Sequence, residues 1–182
     1  MGSATMKARR TGIFLGLAVL LGLAVMTFTR IQHQKANPSE NTENDCGPQA
    51  LFALLHEHQA DVSLLAIEQR SFQSRPGTTL LGLKKAAESY GFKADGMRLS
   101  YDDLKQELRN RLGVIAFVNQ NHYVWVTNFD EKGLWYKDLA PERRYVTTDV
   151  WAQMWFEQNP GAIPSIEEGK GICLVVYKRG ER

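Results

Sequence analysis

The folded part of this chain is predicted to be an α+β domain, in which several helices precede an antiparallel sheet. Up to Arg111, apolar residues recur mainly at helical spacing, as in the run that follows Cys46. From Gly113 onward, the pattern changes to β-branched and aromatic runs of strand length, bounded by turn residues. Helices and strands that are segregated along the chain are typical of α+β folds. With 182 residues, of which 43% are hydrophobic and 23% charged, there is room for one compact domain and an appendage.

Four helices are expected before the sheet. The first begins near Asp45, which suits the N-cap, and carries Pro48 in its first turn. The other three are expected at Ser63–Arg70, from Thr78 or Thr79 to Gly91, and at Tyr101–Arg111. Residues 92–99, FKADGMRL, separate the last two helices and fit either a short strand or a loop.

Four strands are expected in the second half, at residues 113–119, 122–129, 134–138 and 171–178. The segment FDEKG joins the second and third of these strands into an antiparallel hairpin. A short helix is expected from Thr147 to Trp155. Because Trp151, Trp155 and Phe156 fall close to one helical face, we expect them to belong to the core.

The appendage is an N-terminal segment with the properties of a membrane anchor. Lys7, Arg9 and Arg10 precede an uncharged stretch at 11–29, which as a helix is about 28 Å long and matches a bilayer core. On the positive-inside rule we expect a cytoplasmic segment at 1–10, a transmembrane signal-anchor at 11–29, a polar linker at 30–43 and an extracytoplasmic domain at 44–179. This places the protein in the inner or cytoplasmic membrane. The alternative is a cleaved signal peptide and a secreted domain.

Composition and spacing exclude several partners. A net charge of +2 and a pI near 8.5 are too mild to indicate a nucleic-acid partner, since several basic residues cluster at the N-terminus. We expect no metal and no cofactor, because His56 and His58 are two residues apart and lie on different faces of a helix. The expected partners are a peptide or protein substrate and the membrane, and an exporter partner is left open.

One cysteine occupies a position suited to a reactive thiol. Cys46 lies at the leading edge of the first helix, between Asp45 and a Gly-Pro pair. At a helix N-terminus, unpaired backbone N–H groups and the helix dipole stabilise a thiolate. A cysteine nucleophile also needs a base within hydrogen-bonding reach and usually a third group that orients the base.

Among the four histidines, one fits the role of the base. His33 lies in the linker, and His56 and His58 lie about three turns along the helix from the cysteine, too far to touch the thiol. His122 remains. It starts a strand and, by alternation, faces the side of the even-numbered residues of that strand.

Asp138 ends the strand that pairs with the strand of His122. With Glu131-Lys132 as the turn, Asp138 pairs with Trp125, a diagonal step from His122. A bulge or a longer loop would bring the two nearer. The pattern is compatible with a His122–Asp138 contact, and the alternative is that KDLAP is only a turn at the end of a strand.

The second cysteine has a different setting. Cys173 lies in the apolar run ICLVV and is expected to be a small buried hydrophobic residue. An extracytoplasmic location also allows a Cys46–Cys173 disulfide, which would remove the proposed nucleophile.

Three segments, in this order and spacing, carry a resemblance to a known family: DCGPQALFALL, GTTLLGLKKAAESYGF and NHYVWVTNFDEKGLWYKDLAP. The chain resembles, over roughly Asn44 to Tyr177, the papain-like cysteine peptidases that process the double-glycine leaders of bacteriocins. Those peptidases are found at the N-terminus of bacteriocin ABC exporters. The resemblance implies a papain-like fold with Cys46 as nucleophile, His122 as general base and acid, and Asp138 as the residue that orients His122.

The resemblance also implies a glutamine six residues before the nucleophile, as a side-chain donor to the oxyanion. This chain has Glu40 there, and a carboxylate cannot donate a hydrogen bond. Asn41 and Asn44 are alternative donors. The expected function is peptide-bond hydrolysis by a membrane-anchored thiol peptidase. The alternatives are a catalytically silent peptide-binding domain and acyl transfer, as in transglutaminase-like or amidase enzymes, by the same triad.

Overall fold

The structure is a computed structural model that describes residues 45–71, 77–110, 113–139, 142–156, 166–167, 169–178 and 180. The expected membrane span at 11–29 and linker at 30–43 lie outside these residues. Within the described ranges, no helix is long and apolar enough to cross a membrane.

The described residues form five helices and six strands. In chain order they are α1 (Cys46–Glu57), α2 (Leu64–Ser71), α3 (Leu80–Ser89), β1 (Phe92–Leu99), α4 (Tyr101–Arg109), β2 (Gly113–Val118), β3 (His122–Phe129), β4 (Gly133–Lys137), β5 (Arg143–Thr147), α5 (Thr148–Trp155) and β6 (Gly171–Lys178). The expected bounds of the second and fourth predicted strands, now β3 and β6, are confirmed. The fourth predicted helix ends two residues earlier than expected, at Arg109.

The strands make one antiparallel sheet in the order β1-β6-β2-β3-β4-β5. The predicted α+β class is confirmed. Residues 92–99, left open between strand and loop, form the edge strand β1, which pairs along its whole length with β6. The other edge strand, β5, was not predicted, because its residues RRYVT are mostly exposed and have no apolar alternation.

The first three helices pack on one face of the sheet. Their apolar residues share a buried cluster with the odd-numbered residues of β2 and β3, which include Ile115, Tyr123 and Trp125. Cys46 belongs to this cluster. The expectation that N-terminal helices cover an antiparallel sheet is therefore confirmed.

The opposite face of the sheet carries α4 and α5. Even-numbered residues of β2 and β3 form a second cluster there, together with Trp151, Trp155 and Phe156. These three aromatic residues are at most 4% exposed, which confirms that they belong to the core. Because both faces of the sheet are covered, β2 is buried almost throughout and β3 is buried from Tyr123 to Val126.

Side-chain caps begin three of the helices. At α2, the hydroxyl of Ser63 accepts a hydrogen bond from the backbone N–H of Ala66 at 3.3 Å. Thr79, one of the two expected caps, accepts a hydrogen bond from the backbone N–H of Gly82 at 3.1 Å. Ser100 and Asp103 form a reciprocal capping box at the start of α4. Asp45 occupies the N-cap position of α1 as expected, but its side chain makes no capping hydrogen bond.

Candidate active site

The thiol of Cys46 lies at the first residue of α1. The first helical hydrogen bond runs from the backbone N–H of Gln49 to the carbonyl of Asp45, at 3.0 Å. The N–H groups of Cys46 and Gly47 therefore precede the helical ladder, and Pro48 has no N–H to leave unpaired. Cys46 is 6% exposed, so the thiol sits at a buried helix N-terminus.

Glycine at position 47 lets α1 approach the sheet closely. A Cβ at Gly47 would lie 3.1 Å from Cδ2 of Tyr123 and 3.2 Å from Cδ1 of Leu83. The Tyr123 ring in turn packs on Phe117, with ring centroids 4.9 Å apart. The first turn of α1 is thereby held against β3, where His122 begins the strand.

His122 contacts the thiol from the end of the sheet. Alternation along β3 puts its side chain on the face opposite Tyr123 and Trp125, whereas Cys46 packs with those two residues. Because His122 is the first residue of the strand, its ring can turn around the end of the sheet. It makes a hydrogen bond with the Cys46 sulfur.

A bulge in β3 brings Asp138 to the side of His122. Next to the turn the register is the expected one, with Phe129 opposite Leu134, but it shifts by one residue between Val126 and Asn128. Beyond the bulge, Trp125 pairs with Lys137. One residue further, Asp138 therefore aligns with Val124, on the face of His122, and the expected pairing of Asp138 with Trp125 is wrong.

The carboxylate of Asp138 binds the ring of His122. Nε2 of His122 lies 2.6 Å from Oδ1 of Asp138, which leaves Nδ1 as the ring nitrogen available to the thiol. The backbone N–H of Leu139 donates to the same oxygen at 2.8 Å. Oδ2 of Asp138 lies 3.3 Å from a guanidinium nitrogen of Arg144. The sequence-based expectation of a His122–Asp138 contact is confirmed.

These contacts shift the protonation of the thiol. Burial by itself raises the pKa of Cys46, but the hydrogen bond with His122 acts against it. Backbone N–H groups of Tyr123 and Gly47 also stabilise the thiolate, and the pKa ends below its ordinary value of 9.0. The helix N-terminus supplies one of these donors, as the sequence indicated.

The protonation of the ring shifts in the opposite direction. The hydrogen bond with Cys46 is the largest cause, and that with Asp138 adds to it, so that the pKa of His122 rises to about 9 despite burial. The pKa of Asp138 is lowered, because its bonds with His122 and Leu139 outweigh its burial. The shifts therefore favour the charged forms of the three groups, a thiolate, an imidazolium and a carboxylate in a row, an arrangement suited to nucleophilic attack followed by proton donation.

The other sequence-based candidates have different outcomes. Glu40, Asn41 and Asn44, the candidate oxyanion donors, lie outside the described residues. Cys173 is fully buried in the cluster on the opposite face of the sheet from Cys46, and both cysteines are free thiols. His56 lies exposed near the end of α1. In the part of the chain that the structure describes, no three His, Cys, Asp or Glu side chains form a metal-binding group.

Sequence reasoning missed two contributors to the site. Arg144 was not singled out, because β5 has no strand pattern of its own. The backbone N–H of Tyr123 was missed because any residue supplies such a group, and only the packing of α1 on β3 aims it at Cys46. For Arg144 the available signal was a basic residue six positions after Asp138, within hairpin distance.

A buried thiol at a helix N-terminus, an imidazole from the first residue of a strand and a carboxylate from the next strand define the class of papain-like cysteine peptidases. The chain belongs to the Peptidase C39 family, which it matches over residues 36–158. The resemblance to the bacteriocin-processing peptidases is thereby confirmed.

Curated relatives are of two kinds. An uncharacterized protein of Methanothermobacter marburgensis is 28% identical over 110 residues, which are 60% of this chain and 75% of that protein. The pediocin PA-1 transport/processing ATP-binding protein of Pediococcus acidilactici is 39% identical over 118 residues, 62% of this chain. These residues are only 16% of the Pediococcus protein, so the similarity is confined to a small part of that transporter.

Several solved structures share the fold, among them the two that follow. A double glycine motif protease from an AMS/PCAT transporter, in complex with its leader peptide, superposes with a TM-score of 0.58 at 24% identity. The superposition covers 74% of this chain and 84% of the protease chain. The peptidase domain of a bi-functional ABC transporter of Streptococcus gives a TM-score of 0.55 at 18% identity, over 75% of this chain and 93% of that one.

Proposed function

We propose that this protein is a membrane-anchored cysteine peptidase whose domain lies outside the cytoplasmic membrane and hydrolyses peptide bonds through Cys46, His122 and Asp138. The observation that carries the proposal is the continuous contact from the Cys46 sulfur through the His122 ring to the Asp138 carboxylate. The opposite pKa shifts of the thiol and the ring add to it, because each stabilises the charged form that the other needs.

In the first half of the reaction, the Cys46 thiolate attacks the carbonyl carbon of the scissile bond and forms a tetrahedral intermediate. The His122 imidazolium then gives its proton to the leaving nitrogen as the C–N bond breaks, which releases the amine and leaves a thioester on Cys46. Asp138 holds the ring through Nε2, so that Nδ1 faces the reacting atoms.

In the second half, a water molecule attacks the thioester while His122 accepts a proton from it. The acid product leaves and the thiolate–imidazolium pair is restored. The backbone N–H of Cys46 stands ahead of the helical ladder and is suited to hold the oxyanion. Asn41, Asn44 or Glu40 would have to supply a second contact, and of these only the asparagines are donors at neutral pH.

The substrate class that we propose is a peptide with a double-glycine leader. Its support is membership of the Peptidase C39 family and the likeness to a double glycine motif protease. The anchor proposal rests on the three basic residues before the uncharged stretch 11–29. Digestion of spheroplasts with an external protease tests it: an extracytoplasmic domain is degraded in intact spheroplasts, and a domain protected until lysis contradicts this topology.

Labelling with an electrophilic peptide that ends in Gly-Gly tests the chemistry. We expect the probe to modify Cys46 in the wild type, to leave Cys46→Ala unmodified and to react at least tenfold more slowly with His122→Ala. The matched control is His56→Ala, which removes an exposed histidine of α1 and should label like the wild type. Equal labelling of His122→Ala and wild type would exclude the proposed pair.

Turnover of a peptide with a Gly-Gly leader tests the reaction type. Hydrolysis gives two fragments, with a free carboxylate after the glycine pair, whereas acyl transfer gives amine-exchanged or cross-linked products. Cys46→Ala should abolish both.

A second candidate function, a silent peptide-binding domain, is favoured by one observation, the carboxylate of Glu40 six residues before the cysteine. Peptide affinity that survives in Cys46→Ala, with no turnover in the wild type, would support it. Glu40→Gln discriminates further, since restoring a donor should raise turnover only if that side chain reaches the oxyanion.

A further inference from the structure

The second carboxylate oxygen of Asp138 has a partner that the proposed mechanism does not use. We propose that Arg144 is a positioning residue, which fixes the plane of the Asp138 carboxylate and thereby the ring of His122. The inference rests on the proposed function, in which Asp138 orients His122. It is carried by geometry: Oδ1 faces the ring of His122 at 2.6 Å, and Oδ2 faces Arg144 at 3.3 Å.

The hairpin of β4 and β5 aims Arg144 at the carboxylate. Tyr136 pairs with Arg144, and Lys137 pairs with Arg143. Because side chains alternate along a strand, Arg144 shares a sheet face with Tyr136 and, one step further, with Asp138. Arg143 shares the opposite face with Lys137. Two adjacent arginines of the same strand therefore differ in whether they face the site.

Burial explains why this ion pair is more than a surface contact. The side chain of Asp138 is 16% exposed, whereas that of Arg144 is 58% exposed. The guanidinium thus covers a mostly buried carboxylate from the solvent side. The charged groups that act on Asp138 are His122 and Arg144, and those that act on the ring of His122 are Cys46 and Asp138.

The contacts at Oδ1 and Oδ2 both restrict rotation about the Cβ–Cγ bond of Asp138. A carboxylate held only at Oδ1, by His122 and by the N–H of Leu139, can still rotate about its Cβ–Cγ bond. A cation at Oδ2 opposes that rotation and keeps Oδ1 on Nε2. Loss of Arg144 should therefore weaken the bond to His122, although Arg144 touches neither the ring nor the thiol in any described contact.

The experiment compares Arg144→Gln, Arg144→Lys and the matched control Arg143→Gln in the full chain. The readouts are kcat and KM on the leader peptide and the NMR titration of the His122 ring, assigned by comparison with His122→Ala among four histidines. We expect Arg144→Gln to lower kcat by about two- to fivefold at constant KM, the scale of a partly exposed ion pair. We also expect the pKa of His122 to fall below about 9. Arg144→Lys should recover at least half of both effects, and Arg143→Gln should behave like the wild type.

The direction of the titration separates positioning from a plain charge effect. If Arg144 acted only through its charge, its removal would raise the pKa of His122, and that result would overturn the proposal. A change in KM alone would overturn it too, because it would indicate contact with substrate. The proposal would also be overturned if Arg144→Gln changed none of the readouts, or if Arg143→Gln had effects equal to those of Arg144→Gln.

The titration needs no substrate, so it remains decisive if the proposed peptidase activity fails. A wild type without turnover, in which Arg144→Gln still lowers the pKa of His122, would contradict the peptidase proposal and leave the role of Arg144 supported. If the wild type turns over substrate but Arg144→Gln changes neither kcat nor the pKa of His122, the peptidase proposal is supported and the role of Arg144 is contradicted.

Discussion

Replacing Asp138 by Asn tests how strongly the carboxylate holds the imidazolium. The substitution keeps the shape and an acceptor oxygen for Nε2 of His122, but it removes the negative charge and turns an amide toward Arg144. Both changes disfavour the protonated ring. We therefore expect the pKa of His122 to fall and the alkaline limit of activity to move to lower pH, since in the proposed mechanism His122 must be protonated to release the amine.

The magnitude follows from the shift of His122. The difference between about 9 and the ordinary 6.5 corresponds to about 3 kcal/mol, at 1.36 kcal/mol per pKa unit. The hydrogen bond with Cys46 is the largest cause, so Asp138 supplies a smaller part of the rise, on the order of 1 kcal/mol. Removing it should bring the pKa of His122 to about 8 and lower kcat/KM by up to about tenfold above pH 9, whereas near pH 7 the ring stays mostly protonated in both proteins. An imidazolium carries protons on both nitrogens, so an incorrect tautomer of the resting ring adds little to this loss.

The raised pKa of His122 also makes the unfolding free energy depend on pH. A raised histidine pKa stabilises the folded state fully below the unfolded value of about 6.5, and this contribution disappears as the pH rises through about 9. The gap in unfolding free energy between wild type and Asp138→Asn should therefore be on the order of 1 kcal/mol at pH 6 and shrink as the pH rises from about 8 through about 9.

Urea denaturation at several pH values, with the NMR titration of His122, measures both effects. Asp149→Asn is the matched control, because it removes one exposed carboxylate from the first turn of α5. A His122 that still titrates near 9 in the Asp138 variant, or a stability gap that ignores pH, would refute this account of the shift.

Two further predictions concern the rest of the domain. Trp151→Ala should lower the unfolding free energy by about 3–5 kcal/mol in urea denaturation, because the ring is fully buried between the sheet and α5. The control Val150→Ala, at a neighbouring residue that is 43% exposed, should change the unfolding free energy by less than about 0.5 kcal/mol. In iodoacetamide alkylation at pH 7, Cys46 should react within the native protein and Cys173 only after denaturation, because burial raises the pKa of Cys173 to about 12; modification of native Cys173 at a similar rate would contradict its burial.

Local pattern was enough to predict the elements that carry the site. Helical spacing after Cys46 predicts α1 with the thiol at its N-terminus, and the β-branched run at 122–129 predicts β3 with His122 as its first residue. Both follow from short periodicities, which a few neighbouring residues are enough to define. The choice of His122 as the partner of Cys46 also needed no coordinates, since the other three histidines lie in the linker or too far along α1.

Long-range features could not be predicted in the same way. The pairing of β1 with β6 joins segments about 80 residues apart, and no local signal distinguishes it from other pairings of two apolar strands. The edge strand β5 is mostly exposed, so its sequence has no apolar face to read. Only its pairing with β4 defines it as a strand. The same pairing fixes the position of Arg144.

By itself, therefore, the sequence determined the class of fold, the thiol at a helix N-terminus and the histidine that contacts this thiol. Tertiary structure decided the register that completes the site. The ideal hairpin puts Asp138 opposite Trp125, on the face away from His122, and one unpaired residue at Thr127 moves it to the correct face. The physical reason is that side-chain direction in a strand has a period of two, so a single bulged residue reverses every face beyond it. Helices pack on both faces of the sheet that contains this bulge. The sequence of the hairpin alone does not indicate where the bulge lies.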